Sequence, residues 1–428
     1  MSATDARVEQ ALACRGGPRA VTSDPGDMFK WPIVTDADEQ AVLDVLRAGA
    51  MSGTDVTRQF EAEFAEWIGL PFALGTCNGT AALQAAMWAV GVRRGDEVIC
   101  PSMTYWASGT PALTLGAAPV WADIQRDTLC LDPASAAERI GERTKAIVVV
   151  HYAGYPADMD AILALAEPRG VAVIEDVSHA HGGLYKGRKL GTIGQVGAMS
   201  CMSGKSLAIG EAGILVTADR GIYERAVLWG HHQRHGDLTD PALAAQAGPP
   251  LSMAKHRMNQ TCSAMGRVQL RHYDARNAEI LRAMHYYWDR LEGTPGVKAH
   301  RVPAGGGSEM GGWYYPRGLY RGEELGGLPL ARFAEALAAE GHPGGVGANA
   351  PLHLLAAVNE VDIYGDGRPT ILANATRDTR AAPGSLPAAE SIAEIAFDVP
   401  WFKHYRPEII DEYVLAVKKV AAHADELR

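Results

Sequence analysis

The chain has 428 residues, 47% of them apolar and 21% charged, with a net charge of −10. That composition fits a globular protein with room for one large and one small domain, and the acidic balance argues against a nucleic-acid partner, because phosphate binding needs a basic face. No apolar run approaches the roughly 18 residues of a membrane span, and the opening M-S-A-T-D-A-R-V-E-Q lacks the charged-then-apolar layout of a secretion signal, so a cytoplasmic protein without a membrane partner is expected.

Residues 1–31 mix Gly16, Gly17, Pro18, Pro25 and Gly26 with charges and read as an N-terminal arm, not a packed unit. Apolar spacing predicts helices over 36–48 and 58–68, the second with Phe60, Phe64 and Trp67 on one face. A strand, turn and helix follow Phe72, with Asn78, Gly79 and Thr80 at the helix start. Such a turn is a seat for phosphate, because free backbone N–H groups and the positive end of the dipole meet there; simple capping by Asn78 or Thr80 explains it equally well. Strands over 97–101, 118–124, 146–151 and 171–174, with a helix over 160–166, predict a mostly parallel sheet covered on both faces. Ligands on such sheets bind beyond the carboxyl ends of the strands, where Glu175 and Asp176 fall, followed by His179 and His181. Two histidines two residues apart, with no third ligand nearby, make a weak metal motif.

Short strands over 196–202 and 214–217 leave Lys205 on the turn between them. An amine held in a partly dry crevice has its charged form disfavoured, which frees it for Schiff-base chemistry, although a solvated surface lysine is the plainer reading of this stretch alone. Gly204-Lys205-Ser206 imitates the end of a P-loop, but the glycine needed five places before Gly204 is Met199. A Ser203–Lys205 nucleophile and base pair is a common spacing and carries little. A helix over 267–291, a strand-like Trp313–Tyr315 and helices over 331–340 and 407–422 complete the chain, with loops over 238–251 and 304–312. The six cysteines form no C-x-x-C pair and read as buried thiols.

In order along the chain, N-G-T-A-A-L (78–83), P-S-M-T-Y (101–105), E-D-V-S-H-A-H-G (175–182) and S-C-M-S-G-K-S-L-A-I-G-E-A-G (200–213) together resemble the DegT/StrS family of pyridoxal-phosphate aminotransferases, which act on keto-sugars and keto-cyclitols. The resemblance runs from G-G-P-R-A-V at Gly16 to the closing P-E-I-I-D-E-Y-V-L-A-V-K-K-V. It implies a fold-type-I α/β transferase with an arm over 1–31, a large cofactor-binding domain over 32–290 and a small α+β domain over 291–428. By the same resemblance, Lys205 is the lysine that forms the internal aldimine with pyridoxal 5'-phosphate and then moves a proton at the reacting carbon. Asp176 is the carboxylate that pairs with the pyridine nitrogen, Tyr105 stacks on the ring, and His179 bonds near the ring oxygen. Gly79 and Thr80, with the hydroxyls of Thr80 and Ser200, hold the phosphate.

The family usually adds an asparagine from the partner subunit; in K-H-R-M, Lys255 stands in that place, which implies a homodimer with shared sites. The implied partners are glutamine or glutamate as amino donor and a keto-sugar or keto-cyclitol as acceptor. The leader, M-G-G-W-Y (310–314) and E-G-H-P (340–343) resemble the branch that aminates keto-inositols with glutamine. E-A-G at 211–213 replaces the more frequent E-G-G, and 236–250 matches nothing in the family, so the acceptor's identity stays open. A cofactor-binding regulator without turnover is the alternative from another class. A nucleotide-dependent enzyme is a third, disfavoured by the missing P-loop and G-x-G-x-x-G.

Overall fold

The structure is a computed structural model that describes residues 7–428 except Gln233. The first six residues of the opening read above for a secretion signal therefore lie outside the described residues. Two helices lead in: α1 (Asp36–Arg47), started by a Thr35–Asp38 capping box, and α2 (Asp55–Ile68), ended by Gly69 in the left-handed conformation. The Phe60 and Phe64 stripe of α2 is fully buried, as its spacing predicts.

The main sheet has seven strands: β1 (Phe72–Thr76), β2 (Glu97–Pro101), β3 (Ala118–Ala122), β4 (Thr144–Val150), β5 (Ala172–Asp176), β6 (Val196–Ser200) and β7 (Gly213–Thr217). Their spatial order is β1-β7-β6-β5-β4-β2-β3. β2 to β6 pair in parallel, and β7 runs antiparallel to both β1 and β6. The carboxyl ends of β1, β5 and β6 therefore share one edge of the sheet. Helices α3 (Gly79–Ala89), α4 (Met159–Ala166) and α5 (Arg220–Gly230) cover the sheet. Continuous apolar runs such as Ile147-Val148-Val149 are fully buried, as both-face coverage requires. Strand β5 extends through Glu175 and Asp176, so both carboxylates are its last residues and do not follow it.

A long helix, α6 (Gln260–Arg290), begins seven residues before the expected start, where Asn259 caps it by accepting from Thr261 N at 2.8 Å. Beyond it lies a three-stranded antiparallel sheet, β8 (Val297–Ala299), β9 (Arg317–Tyr320) and β10 (Ala396–Asp398), packed with α7 (Leu330–Glu340) and α8 (Pro407–Ala422). A second core gathers here around Trp288, Trp313, Phe333, Phe397 and Ile410.

Three further expectations change. The N-terminal stretch packs from Leu12 onward: Leu12 and Met28 are fully buried in the second core, and Glu340 accepts from the backbone N–H groups of Ala13 and Ala20, both at 2.8 Å. Trp313–Tyr315 is not a strand, because Gly311 and Gly312 press against Ala180 and Ser206 so closely that any Cβ would clash. The chain turns there with Trp313 and Tyr315 at φ 50° and 59°, outside any β ladder. Of the cysteines, Cys100, Cys130 and Cys201 are buried, whereas Cys14, on an exposed 3-10 turn, and Cys77 and Cys262 are not. No helix among the described residues is long and apolar enough to cross a membrane.

Candidate active site

A cavity of about 390 Å³ opens at the shared carboxyl edge of β1, β5 and β6, within the roughly 300–1,000 Å³ range of small-ligand sites. Gly79, Thr80, Tyr105, Asp176, His179, Ser200 and Lys205 all line it. Lys255 does not; it is exposed on the chain's surface.

One wall is the start of α3. Asn78 caps the helix by accepting from Ala81 N at 2.8 Å, and Gly79 and Thr80 of the first turn, where backbone N–H groups lack intrahelical partners, line the cavity. A Cβ on Gly79 would lie 2.7 Å from Ser200 Cβ, and one on Gly213 would lie 2.3 Å from Asn78 O. Both glycines are thus demanded by the close approach of α3 to the β6–β7 hairpin.

Lys205 stands on that hairpin's connection, 8% exposed, with its N–H bonded to Met202 O at 2.8 Å. Its carbonyl accepts from Trp31 Nε1 at 2.8 Å, so the N-terminal stretch fixes the lysine's backbone. The amine lies 3.9 Å from the centre of the Tyr314 ring. Burial pulls its pKa down to about 8, against the opposing charge of Asp176. Asp176, 4% exposed, ends β5 and is oriented twice: Ser108 Oγ donates to Oδ2 at 2.8 Å and Ser178 N to Oδ1 at 3.0 Å.

His179 packs between Tyr152 and Tyr314, with ring centres at 5.1 and 4.8 Å, and its Nδ1 accepts from Ala153 N at 3.3 Å. Burial, reinforced by the Lys205 charge, holds its pKa well below the ordinary value, so it stands neutral. His181 is likewise lowered, to about 3, mainly by burial. Among the described residues no group of three His, Cys, Asp or Glu side chains could hold a metal ion.

Glu175, beside Asp176, points to the other face and has a structural task. Its oxygens accept from Gly191 N at 2.8 Å, from Ile193 N and Gly194 N at 2.7 Å, and from His151 Nε2 at 3.1 Å. The alternation of side chains along a strand separates the two neighbouring carboxylates in this way.

A family model described as the DegT/DnrJ/EryC1/StrS aminotransferase family matches residues 32–418. The chain belongs to this family. It is accordingly an aminotransferase, which favours catalysis over the regulator without turnover. The L-glutamine:scyllo-inosose aminotransferase of Streptomyces griseus is 35% identical over 355 residues, covering 78% of this chain and 80% of that protein. The L-glutamine:2-deoxy-scyllo-inosose aminotransferase of Streptomyces lividus is 40% identical over 223 residues, covering 50% of this chain and 52% of that one. An X-ray structure of an aminotransferase from Psychrobacter cryohalolentis superposes with a TM-score of 0.77 at 28% identity, covering 93% of this chain and 100% of that one. These relatives match the expected fold and the expected branch of the family.

Residues that sequence reasoning missed complete the wall: Ser108, Met202, Tyr315 and Asn349 all line the cavity. Asn349 Oδ1 accepts from Tyr152 Oη at 2.7 Å. Ser108 lay only three residues past the P-S-M-T-Y motif, whereas Asn349 comes from far along the chain and has no local signal.

Proposed function

We propose that this aminotransferase uses pyridoxal 5'-phosphate to move an amino group from glutamine, or from glutamate, to the ketone of a cyclitol or sugar. One observation carries the reading: Lys205, Asp176 and the Gly79–Thr80 helix start line a single cavity. The residues fit the cofactor. The start of α3, with Gly79 bare of a side chain and the Thr80 and Ser200 hydroxyls beside it, suits a phosphate dianion. Asp176, held by two hydrogen bonds, suits a protonated pyridine nitrogen. The half-exposed Tyr105 suits stacking at the mouth, and neutral His179 suits a hydrogen bond to the ring oxygen.

When bound, the cofactor supplies an electron sink for the carbon that loses its proton. The chain supplies the rest. With a pKa of about 8, roughly a tenth of Lys205 is neutral at pH 7, against about one part in 3,000 at the ordinary 10.5. That neutral amine is the nucleophile, and once released it holds and returns a proton at Nζ. Asp176 would hold the ring nitrogen through its carboxylate, and the buried neighbours exclude water from Lys205.

The similarity to glutamine:scyllo-inosose aminotransferases supports glutamine as donor and a keto-cyclitol as acceptor. The exposed position of Lys255 is compatible with its reaching a partner subunit's phosphate in a homodimer, and we extend the reading to that contact. It also keeps the division into 32–290 and 291–428 and a cytoplasmic setting.

The purified protein with pyridoxal phosphate should show a visible absorption band that glutamine alone bleaches. Lys205→Ala should lose both the band and turnover, and an unaltered rate in that variant would refute the assignment. A panel of keto-cyclitols and nucleotide-linked keto-sugars then identifies the acceptor.

A further inference from the structure

Arg317 opens β9 with its side chain 2% exposed. Its Nη1 bonds Asp398 Oδ1, while Nε and Nη2 have no hydrogen-bond partner among the described residues. These two nitrogens form the side edge of the guanidinium fork, the edge that takes a carboxylate through two parallel bonds. A buried cationic donor pair left unsatisfied is costly, and native structures keep few of them.

The surroundings explain what such an edge could receive. Arg317 and Asp398 line a second cavity of about 570 Å³, which shares Tyr314 and Tyr315 with the first. Tyr314 is the ring beneath Lys205 Nζ. Tyr315 lies over the guanidinium, 3.4 Å from Cζ to the ring centre, and is itself 41% exposed. The ring that seals Arg317 is thus free on its outer side to turn away. Arg317 is also near enough to the site for its charge to oppose protonation of His179.

We propose that Arg317 binds the α-carboxylate of the amino donor, which displaces the Tyr315 ring and takes the Nε–Nη2 edge. Asp398 holds the opposite edge and fixes the fork's plane. This inference rests on the aminotransferase reading of the neighbouring cavity with an amino-acid donor. It gives the donor a cationic anchor that a neutral polyol acceptor does not use, so one site can serve both substrates in turn.

The test uses glutaramate, which keeps glutamine's carboxylate and carboxamide but lacks the amine, and pentanediamide, in which the carboxylate is replaced by a second amide. Each is titrated into the holoprotein while tryptophan fluorescence is followed, Trp401 being part of the second cavity's wall. Glutaramate should bind saturably and pentanediamide should not. Arg317→Gln should weaken glutaramate by about 10- to 100-fold, the range set by a hydrogen bond to a charged group. Arg317→Lys, which keeps a cation beside Asp398 and guards against misfolding in the first variant, should weaken it less. The cofactor's visible band should be unchanged in both. Equal glutaramate affinity in wild type and variants, or pentanediamide binding as tightly as glutaramate, would overturn the proposal. Absence of the visible band in wild type would instead count against the cofactor reading, and the fluorescence titration would still report on Arg317.

Discussion

Replacing Lys205 by methionine should stabilise the cofactor-free protein, and by an amount that depends on pH. The lysine is 8% exposed and its pKa falls from 10.5 to about 8 on burial. A folded-state value below the unfolded one means that the unfolded chain holds the proton more tightly. The destabilisation is therefore complete at and below pH 7, and fades as pH rises through 8 toward 10.5. The shift corresponds to about 3 kcal/mol at pH 7 and about 1.4 kcal/mol at pH 9.5, so the advantage of Lys205→Met should shrink by about 2 kcal/mol across that interval. The Tyr314 face attracts the cation and works against burial, which makes the pH 7 figure an upper one. Methionine is unbranched and apolar and retains the packing on that ring. Urea unfolding of both cofactor-free proteins at pH 7 and pH 9.5 provides the comparison. A stability difference that is the same at the two pH values would refute the claim that a buried, desolvated amine underlies the chemistry.

Two other substitutions probe the frame around the lysine. Gly79→Ala should force α3 away from Ser200, costing about 1–3 kcal/mol by overpacking and lowering cofactor retention on dialysis, with Lys205 itself untouched. Glu175→Gln should lower stability by about 2–4 kcal/mol, because the fully buried carboxylate accepts from Gly191, Ile193, Gly194 and His151. Burial pushes the Glu175 pKa up, but His151 and the backbone N–H groups outweigh it and hold it below the ordinary range. That stabilisation is present above the ordinary carboxylate range and lost as pH falls through the lower folded value, so thermal melts of Glu175→Gln should show a shallower acid limb.

Much of this arrangement is legible in the residue order, and the reasons differ from place to place. The sheet strands announce themselves as apolar runs bounded by glycines and charges, and α8 spans 407–422 as its periodicity predicts. The seven site residues on the cavity wall come from motifs at strand ends and one helix start, where chemistry and local backbone needs coincide. What the sequence leaves hidden depends on distant partners. Trp313–Tyr315 has strand-like composition, yet the approach of Gly311 to Ala180 O overrides that propensity, and tertiary contact decides. Arg317 looks like any surface arginine until β10 delivers Asp398 to it. The packing of Leu12 and Met28 is equally invisible, since the covering residues lie near the other end of the chain.

The bond from Trp31 to the carbonyl of Lys205 has a consequence for the order of folding. The stretch that carries this tryptophan is held by α8: Glu412 accepts from Thr22 N and Ser23 N at 2.7 and 2.9 Å, and Lys419 Nζ donates to Pro18 O at 2.6 Å. These clasps join residues 390 and 401 positions apart in sequence, so the segment gains them only through long-range folding. The reactive turn at 205 therefore gains its full backbone support only once α8 has docked on that stretch, which ties assembly of the catalytic centre to contacts between distant parts of the chain.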